Sequence, residues 1–413
     1  TIHKMYAIIL YIYAGMENEM RHKIVLMTGG TETLEFFSLQ LKKGFEALGY
    51  KTFLFDQTTE EESAEKLYDF ATAYDTILVT FNFDGIHYET SLFNMNGVSI
   101  WDERKIPCVN IAVDHPYFYP ELFDIHPDIF YEVSIDRYHD RYMKRFYPEL
   151  MSGTFLPLGG TPLSPNGDYK KMADRKYDIC FTGNYTPPEV FDDAINRLGD
   201  EYAMFYLEII HDLITNPDKP DDLTMEEHLK KAIPGITHEE VKTAIPNMIF
   251  IDTYVRCYFR GEVIKTLADA GFKIHCVGKG YDNLRCKHPE NLDMNPDELS
   301  YGCLEALANS RLSLNVMPWF KDGAHDRIFN SMCNGAVCIT DHSKYLDEIL
   351  TPDENIIFYD LKQLDKLPEI FENALNDTDK LERIQKNAFN FANREHTWYA
   401  RAKQLHNELL KFL

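Results

Sequence analysis

The stretch DGAHDRIFNSMCNGAVCITD, Asp322 to Asp341, decides the fold. The run before it, RLSLNVMPW (311–319), is apolar enough for a buried strand. A loop then leads into a helix-compatible segment with Ile328, Phe329 and Met332 on one face. Gly335 stands where a helix C-cap needs a residue free to take positive φ. AVCIT (336–340) reads as the next buried strand, with Asp341 at its carboxyl end. The order is strand, loop, short helix, strand. In an open parallel sheet, ligands bind beyond the carboxyl ends of strands, where helix N-termini offer unpaired N–H groups to anions. His325, Asp326 and Arg327 occupy that helix start, which is the place to expect a phosphate.

Working outward, the alternation continues both ways. Downstream come IIFYD (356–360) and helices, the last (394–413) carrying Trp398, Tyr399 and Leu405 at docking spacings. Upstream lie a helix over 295–310, the strand FKIHCVGKG (272–280), a helix within 248–271 and an acidic helical insertion over 189–248. KYDICFTGNY (176–185) opens this half with a strand and a glycine loop, so the half runs over 176–393. TPLSPNGDYKKMADR (161–175) has linker composition. Residues 23–160 repeat the pattern. Strands there end at Gly29–Gly30, at Asn82 and at Asp114–His115–Pro116, and GTFLPLGG (153–160) closes the half. Strand alternating with helix at this spacing predicts an α/β chain with two Rossmann-like domains, their parallel sheets facing across a cleft.

At 413 residues the chain is long enough for two cores. A net charge of −24 excludes the basic footprint that nucleic acid or an anionic membrane needs. Eight scattered cysteines without a Cys-x-x-Cys pair predict free thiols rather than a disulfide frame or zinc site. The 15 histidines show no ligand spacing. The one Asp-x-Asp, Asp377–Asp379, falls between late helices, so no metal is expected. MYAIILYIYA (5–14) is too short to span a bilayer and lacks a signal-peptide cleavage site. Residues 1–22 therefore read as an N-terminal extension, and the protein as cytoplasmic.

The glycine loop FTGNY (181–185), RGEVIKTLADAGFKIHCVGKG (260–280), NPDELSYGCLEALANSRLSLNV (295–316) and HDRIFNSMCNGAVCITD (325–341) together resemble the nucleotide-sugar domain of GT-B glycosyltransferases. The resemblance is nearest to the CgeB-like spore-maturation group and related flagellin or cell-surface glycosyltransferases. TFNFDG (80–85) and VDHP (113–116) resemble that group less specifically. The resemblance implies a donor diphosphate against Gly183–Asn184 and His325–Arg327, with a nucleobase near Gly278–Lys279 and the ribose at Asn330. It also implies donor-site roles for Arg260 and Asp341, and places Gly29, Gly30 and Asn82 toward the donor sugar or acceptor. The wider GT-B pattern has Glu where this chain has Asn330. An amide can still donate and accept hydrogen bonds.

The implied chemistry needs few groups. Arg327 offers a planar fork to the diphosphate, and cations or helix N–H groups can neutralise a leaving group without metal. An inverting enzyme needs a base, for which Asp114 and His115 are the candidates. The competing roles are an Arg327–Asp326 ion pair, a helix cap at Asp341, and plain turns at Asp114–His115 and Gly29–Gly30. The expectation is a hexosyl or deoxyhexosyl transferase, with rhamnose one option. It would use a UDP- or dTDP-sugar as co-substrate and act on a protein or glycan hydroxyl without a cofactor. A non-catalytic GT-B-like protein of a spore or surface assembly is the alternative class. An epimerase would want more converging carboxylates and histidines, and a phosphorylase a cofactor lysine. A dinucleotide oxidoreductase would want a Gly-x-Gly-x-x-Gly that neither opening strand carries.

Overall fold

The computed structural model describes residues 21–164, 167–296 and 298–413, so the extension read at 1–22 lies almost wholly outside it. In the first half, strands β1 (Lys23–Thr28), β2 (Lys51–Asp56), β3 (Thr76–Phe81), β4 (Cys108–Ala112), β5 (Phe130–Ser134) and β6 (Met151–Phe155) alternate with helices α1 (Glu32–Ala47), α2 (Glu60–Phe70) and α3 (Arg137–Phe146). They form one parallel sheet in the order β2-β1-β3-β4-β5-β6. Every residue of β3 and β4 is buried, as expected where helices cover both faces of a parallel sheet.

The second sheet, also parallel, has the order β12-β11-β10-β7-β8-β9. Its strands are β7 (Tyr177–Thr182), β8 (Ile274–Val277), β9 (Leu292–Asn295), β10 (Ser310–Leu314), β11 (Val337–Thr340) and β12 (Ile357–Phe358). Between β7 and β8 stand α4 (Asp200–Thr215), α5 (Asp221–Ala232), α6 (His238–Ala244) and the long α7 (Ile249–Asp269). Helix α8 (Ser300–Ala308) precedes β10, and α9 (Asp326–Cys333) joins β10 to β11. Strand order reverses between β7 and β10, which makes the carboxyl ends of those strands the ligand crevice of this sheet.

The central stretch folds as its pattern predicts, with Gly335 at φ 73 just past α9. Strand β9 was not foreseen. Its four residues are half exposed, and the expected helix over 295–310 begins only at Ser300. All eight cysteines are free thiols, six of them buried. Among the described residues no helix is long and apolar enough to cross a membrane.

The last long helix, α10 (Trp398–Glu408), leaves the second half and packs on α1 of the first. The crossing is pinned where the Gly160 N–H donates to the His396 carbonyl (2.7 Å) and the Trp398 N–H donates back to Gly160 (3.2 Å). Trp398 then lies 4.7 Å from the Phe37 ring, centroid to centroid. Helix α1 presents Leu34, Phe37, Leu41 and Phe45 along one buried stripe, which holds it against the sheet while its first turn faces the second half.

Candidate functional site

A cavity of about 430 Å³ opens at the switch point of the second sheet. Eight of the residues singled out from sequence line it: Gly183, Asn184, Gly278, Lys279, His325, Asp326, Arg327 and Asn330. The first turn of α1 closes the other wall with Glu32, Thr33 and Phe36. Glu32 also ties the halves together, accepting from the Ser300 N–H and hydroxyl, both at 3.0 Å, at the start of α8.

The floor is two glycine loops laced to each other. The Gly183 N–H donates to the Val277 carbonyl (2.8 Å), and the Lys279 N–H donates to Asn184 Oδ1 (2.9 Å). Tyr281 donates its hydroxyl to the Gly183 carbonyl. Gly278 lies at φ 139, and a Cβ there would overlap that same carbonyl oxygen. Only glycine lets the two backbones approach this closely.

Arg327, in the first turn of α9, and Arg260, on α7, both stand over the Phe181 ring, 5.6 and 5.8 Å from its centroid. Their acceptors are uncharged: Asn315 Oδ1 for Arg327 (3.0 Å) and the Asn184 carbonyl for Arg260. Among the described residues no carboxylate pairs with either guanidinium. Arg327 does not form the expected alternative ion pair with Asp326. Burial, then the neighbouring Arg260, lowers Arg327 to about 10, and burial lowers Arg260 as well. Two half-buried cations of like sign at a helix N-terminus make a site for an anion.

His325 sits at the N-cap of α9, its Nδ1 2.6 Å from Asp326 and 3.3 Å from the Arg327 backbone N. One nitrogen cannot donate to the first and accept from the second. The shorter contact puts the proton on Nδ1, leaving Nε2 as an acceptor. Burial, then Arg327, pushes His325 down to about 4, so the ring is neutral at pH 7. Asn330 is engaged on both sides of its amide: its Nδ2 donates to Asp326 (2.8 Å) and its Oδ1 accepts from the Thr161 N–H (2.8 Å). The residue expected at the ribose thus braces the linker against α9.

The remaining sequence-derived residues lie elsewhere. Asp341 borders a separate cavity of about 140 Å³ and accepts from the Met317 N–H (2.9 Å), while burial raises its carboxyl to about 6. Gly29 and Gly30 form the turn after β1 beside Asp56, Gln57 and Asp84, at the reversal point of the first sheet. Asn82, at φ 47, follows β3 and accepts the Val113 N–H on its Oδ1 (2.9 Å).

Asp114 and His115, adjacent in sequence, part company in the structure. His115 is buried against Tyr117, His139 and Tyr142, and burial holds it well below its ordinary value. The Asp114 carboxylate is 34% exposed. It accepts from Tyr119 Oη (3.2 Å) and from Arg256 on α7 (3.2 Å). Arg256 also pairs with the buried Asp252 (2.5 Å) and stacks over Trp319 at 4.6 Å, and the Trp319 ring lies 5.8 Å from His325. Asp114–Arg256–Trp319–His325 is thus a continuous path from the first half to the cavity. Sequence reasoning missed Arg256, Trp319 and Phe181. Arg256 and Arg260 share a helix face at i, i+4, the one available signal.

Residues 260–407 match the model of a family described as Glycosyl transferase-like. No curated protein matches the chain. An alpha-glucosyltransferase in complex with UDP and a 13-mer DNA containing an HMU base is 13% identical, with a TM-score of 0.56 over 95% of this chain and 99% of that one. An alpha-glucosyltransferase in complex with UDP-glucose and abasic-site DNA gives 13%, 0.52, 95% and 99%. Anabaena HepE in complex with UDP-glucose gives 11%, 0.50, 94% and 99%. At such identities the likeness is one of fold, and the fold is GT-B. The matched segment and the GT-B architecture together support a GT-B glycosyltransferase.

Proposed function

We propose that the chain transfers a glycosyl group from a nucleoside-diphosphate sugar, with UDP as the nucleotide, to an acceptor hydroxyl. The observation that carries this is the Arg260–Arg327 pair over Phe181, without a carboxylate partner among the described residues and set beside the glycine loops. A diphosphate there neutralises both guanidiniums, with Lys279 and the α9 N-terminus adding to the field. The neighbours solved with UDP or UDP-glucose favour that nucleotide over dTDP. Among the described residues no group of three or more His, Cys, Asp or Glu is arranged to hold a metal ion. We assign the charge on the leaving group to the two arginines beside the glycine loops.

In the reaction the acceptor oxygen bonds to the anomeric carbon as the bond from that carbon to the diphosphate oxygen breaks. The nucleoside diphosphate leaves with the electron pair. Asp114, accessible and oriented by Arg256 and Tyr119, receives the acceptor proton, which assigns inversion at the anomeric centre. His115, walled in by aromatic rings, takes no proton from substrate. The donor sugar as a hexose or deoxyhexose, and kinship with the CgeB-like group, rest on the sequence motifs.

Thermal melts with UDP, dTDP, GDP, CDP and NAD, each with and without EDTA, test the donor site. Ligand at about 100 times its Kd stabilises by roughly 2.7 kcal/mol. A UDP shift that survives EDTA and vanishes in Arg327→Ala is expected. Absence of a shift with every diphosphate returns the chain to the non-catalytic class.

A further inference from the structure

A third cavity, of about 810 Å³, lies away from the donor residues, between loops of the first half and the helical insertion. One wall carries Asn82, Tyr88, Phe118 and Tyr119, and the other carries Lys242 and Asn247, from α6 and the turn after it. Resting on the transferase reading, we propose that this groove binds an oligosaccharide acceptor, uncharged or amino-sugar-containing, and delivers its terminal hydroxyl to Asp114.

Three observations support it. The groove joins the reaction path directly. Tyr119 on its wall donates to Asp114, and Phe118 lies under Arg256, 5.5 Å from ring centroid to guanidinium carbon. Its surface also suits sugar rings. Tyr88 is 71% exposed, and Phe118 and Tyr119 are half-buried, so aromatic faces are open to the apolar faces of pyranose rings. Side-chain amides at Asn82 and Asn247 both donate and accept, as paired hydroxyls require.

Backbone strain marks the same wall. Asn82 and Phe83 sit consecutively at φ 47 and 66, with the Phe83 N–H held by Asn110 Oδ1 (2.8 Å). Side chains seldom adopt that region, and such strain collects at ligand sites.

Charge narrows the ligand. Glu121, Asp124 and Glu239 face the groove against Lys242, whose ammonium lies over the Tyr147 ring at 3.9 Å. An acidic groove on a chain of net charge −24 repels DNA and phosphorylated or acidic glycans.

The full-length chain should be applied to an array of immobilised neutral, amino-sugar and acidic oligosaccharides printed beside acidic and neutral peptides, while UDP melts are run in parallel. Tyr88→Ala and Thr243→Trp serve as variants; both positions are exposed, and the second fills the groove from α6. Retention on neutral or amino-sugar oligosaccharides, weakened roughly tenfold or more by each variant, is the expected result. Retention on peptides or acidic glycans instead, no retention at all, or oligosaccharide binding indifferent to both variants overturns the groove assignment. A UDP shift in those cases leaves the transferase reading standing. Oligosaccharide retention without any UDP shift keeps the groove and removes the transferase reading.

Discussion

Arg260 and Arg327 come from helices far apart in sequence, yet both place a guanidinium within 6 Å of the Phe181 ring centroid. Among the described residues no carboxylate pairs with either cation. Like charges held this close oppose folding of the free protein, and on the proposed reading a bound diphosphate offsets that cost.

Replacing Arg260 by Met tests this directly. Among the described residues its buried Nε has no partner, and its guanidinium donates to a backbone carbonyl. An apolar side chain of similar length relieves both the desolvation and the like-charge repulsion. The free variant should melt at or above the wild-type temperature, while stabilisation by UDP falls sharply. A variant that melts well below wild type and still responds to UDP would count against the anion site.

His325 predicts a pH effect of definite sign. Its folded value near 4 lies below the ordinary 6.5, so the unfolded chain takes up a proton that the folded chain resists. Stability attributable to this residue is complete above pH 6.5 and declines as pH falls toward 4, by at most about 3 kcal/mol. In urea titrations the stability difference between wild type and His325→Gln should shift in favour of the variant by that order between pH 7 and 4. Bound diphosphate opposes the arginines, so UDP binding should take up a proton. Calorimetry in buffers of different ionisation enthalpy reads that uptake.

The sheets were legible from sequence because buried parallel strands are short apolar runs bounded by glycine or polar turns, as at KIVLMTGG and AVCIT. β9, LDMN, carries no such signal, since only Leu292 is buried. The cavity-lining residues near α9 were legible because loop, cap and strand are contiguous there. Arg256 and Trp319 were not: RCYFRGE reads as any helix, and only the tertiary approach of α7 to Asp114 gives Arg256 its role. Asp114 and His115 looked alike in sequence because neighbours in a loop share no burial rule.

Asp114 and Arg256 should separate catalysis from folding. Asp114→Asn keeps the shape and is expected to lower kcat about a hundredfold or more while leaving UDP binding intact, measured by UDP release and thermal shift. Arg256→Met instead leaves Asp252, wholly buried, without its guanidinium, and should cost roughly 3–5 kcal/mol in urea unfolding. Removing both charges, in Arg256→Met with Asp252→Leu, should recover much of that loss. Equal losses in the single and double variants would mean that packing rather than charge is at stake.

Gly278 and Gly271 distinguish the two reasons a glycine is needed. Both take positive φ, at 139 and 94, so alanine strains the backbone at either. Nothing lies within 4 Å of a Cβ at Gly271, and Gly271→Ala should cost roughly 1 kcal/mol with UDP binding unchanged. At Gly278 the Cβ also meets the Gly183 carbonyl and approaches Asn184 Oδ1 at 3.0 Å, so the loops must part. Gly278→Ala should then cost about 1–3 kcal/mol for the strain alone. It should also abolish the UDP shift, because separating the loops breaks the Lys279-to-Asn184 hydrogen bond that shapes the cavity floor. If Gly278→Ala binds UDP as well as Gly271→Ala does, the nucleotide does not rest on these loops.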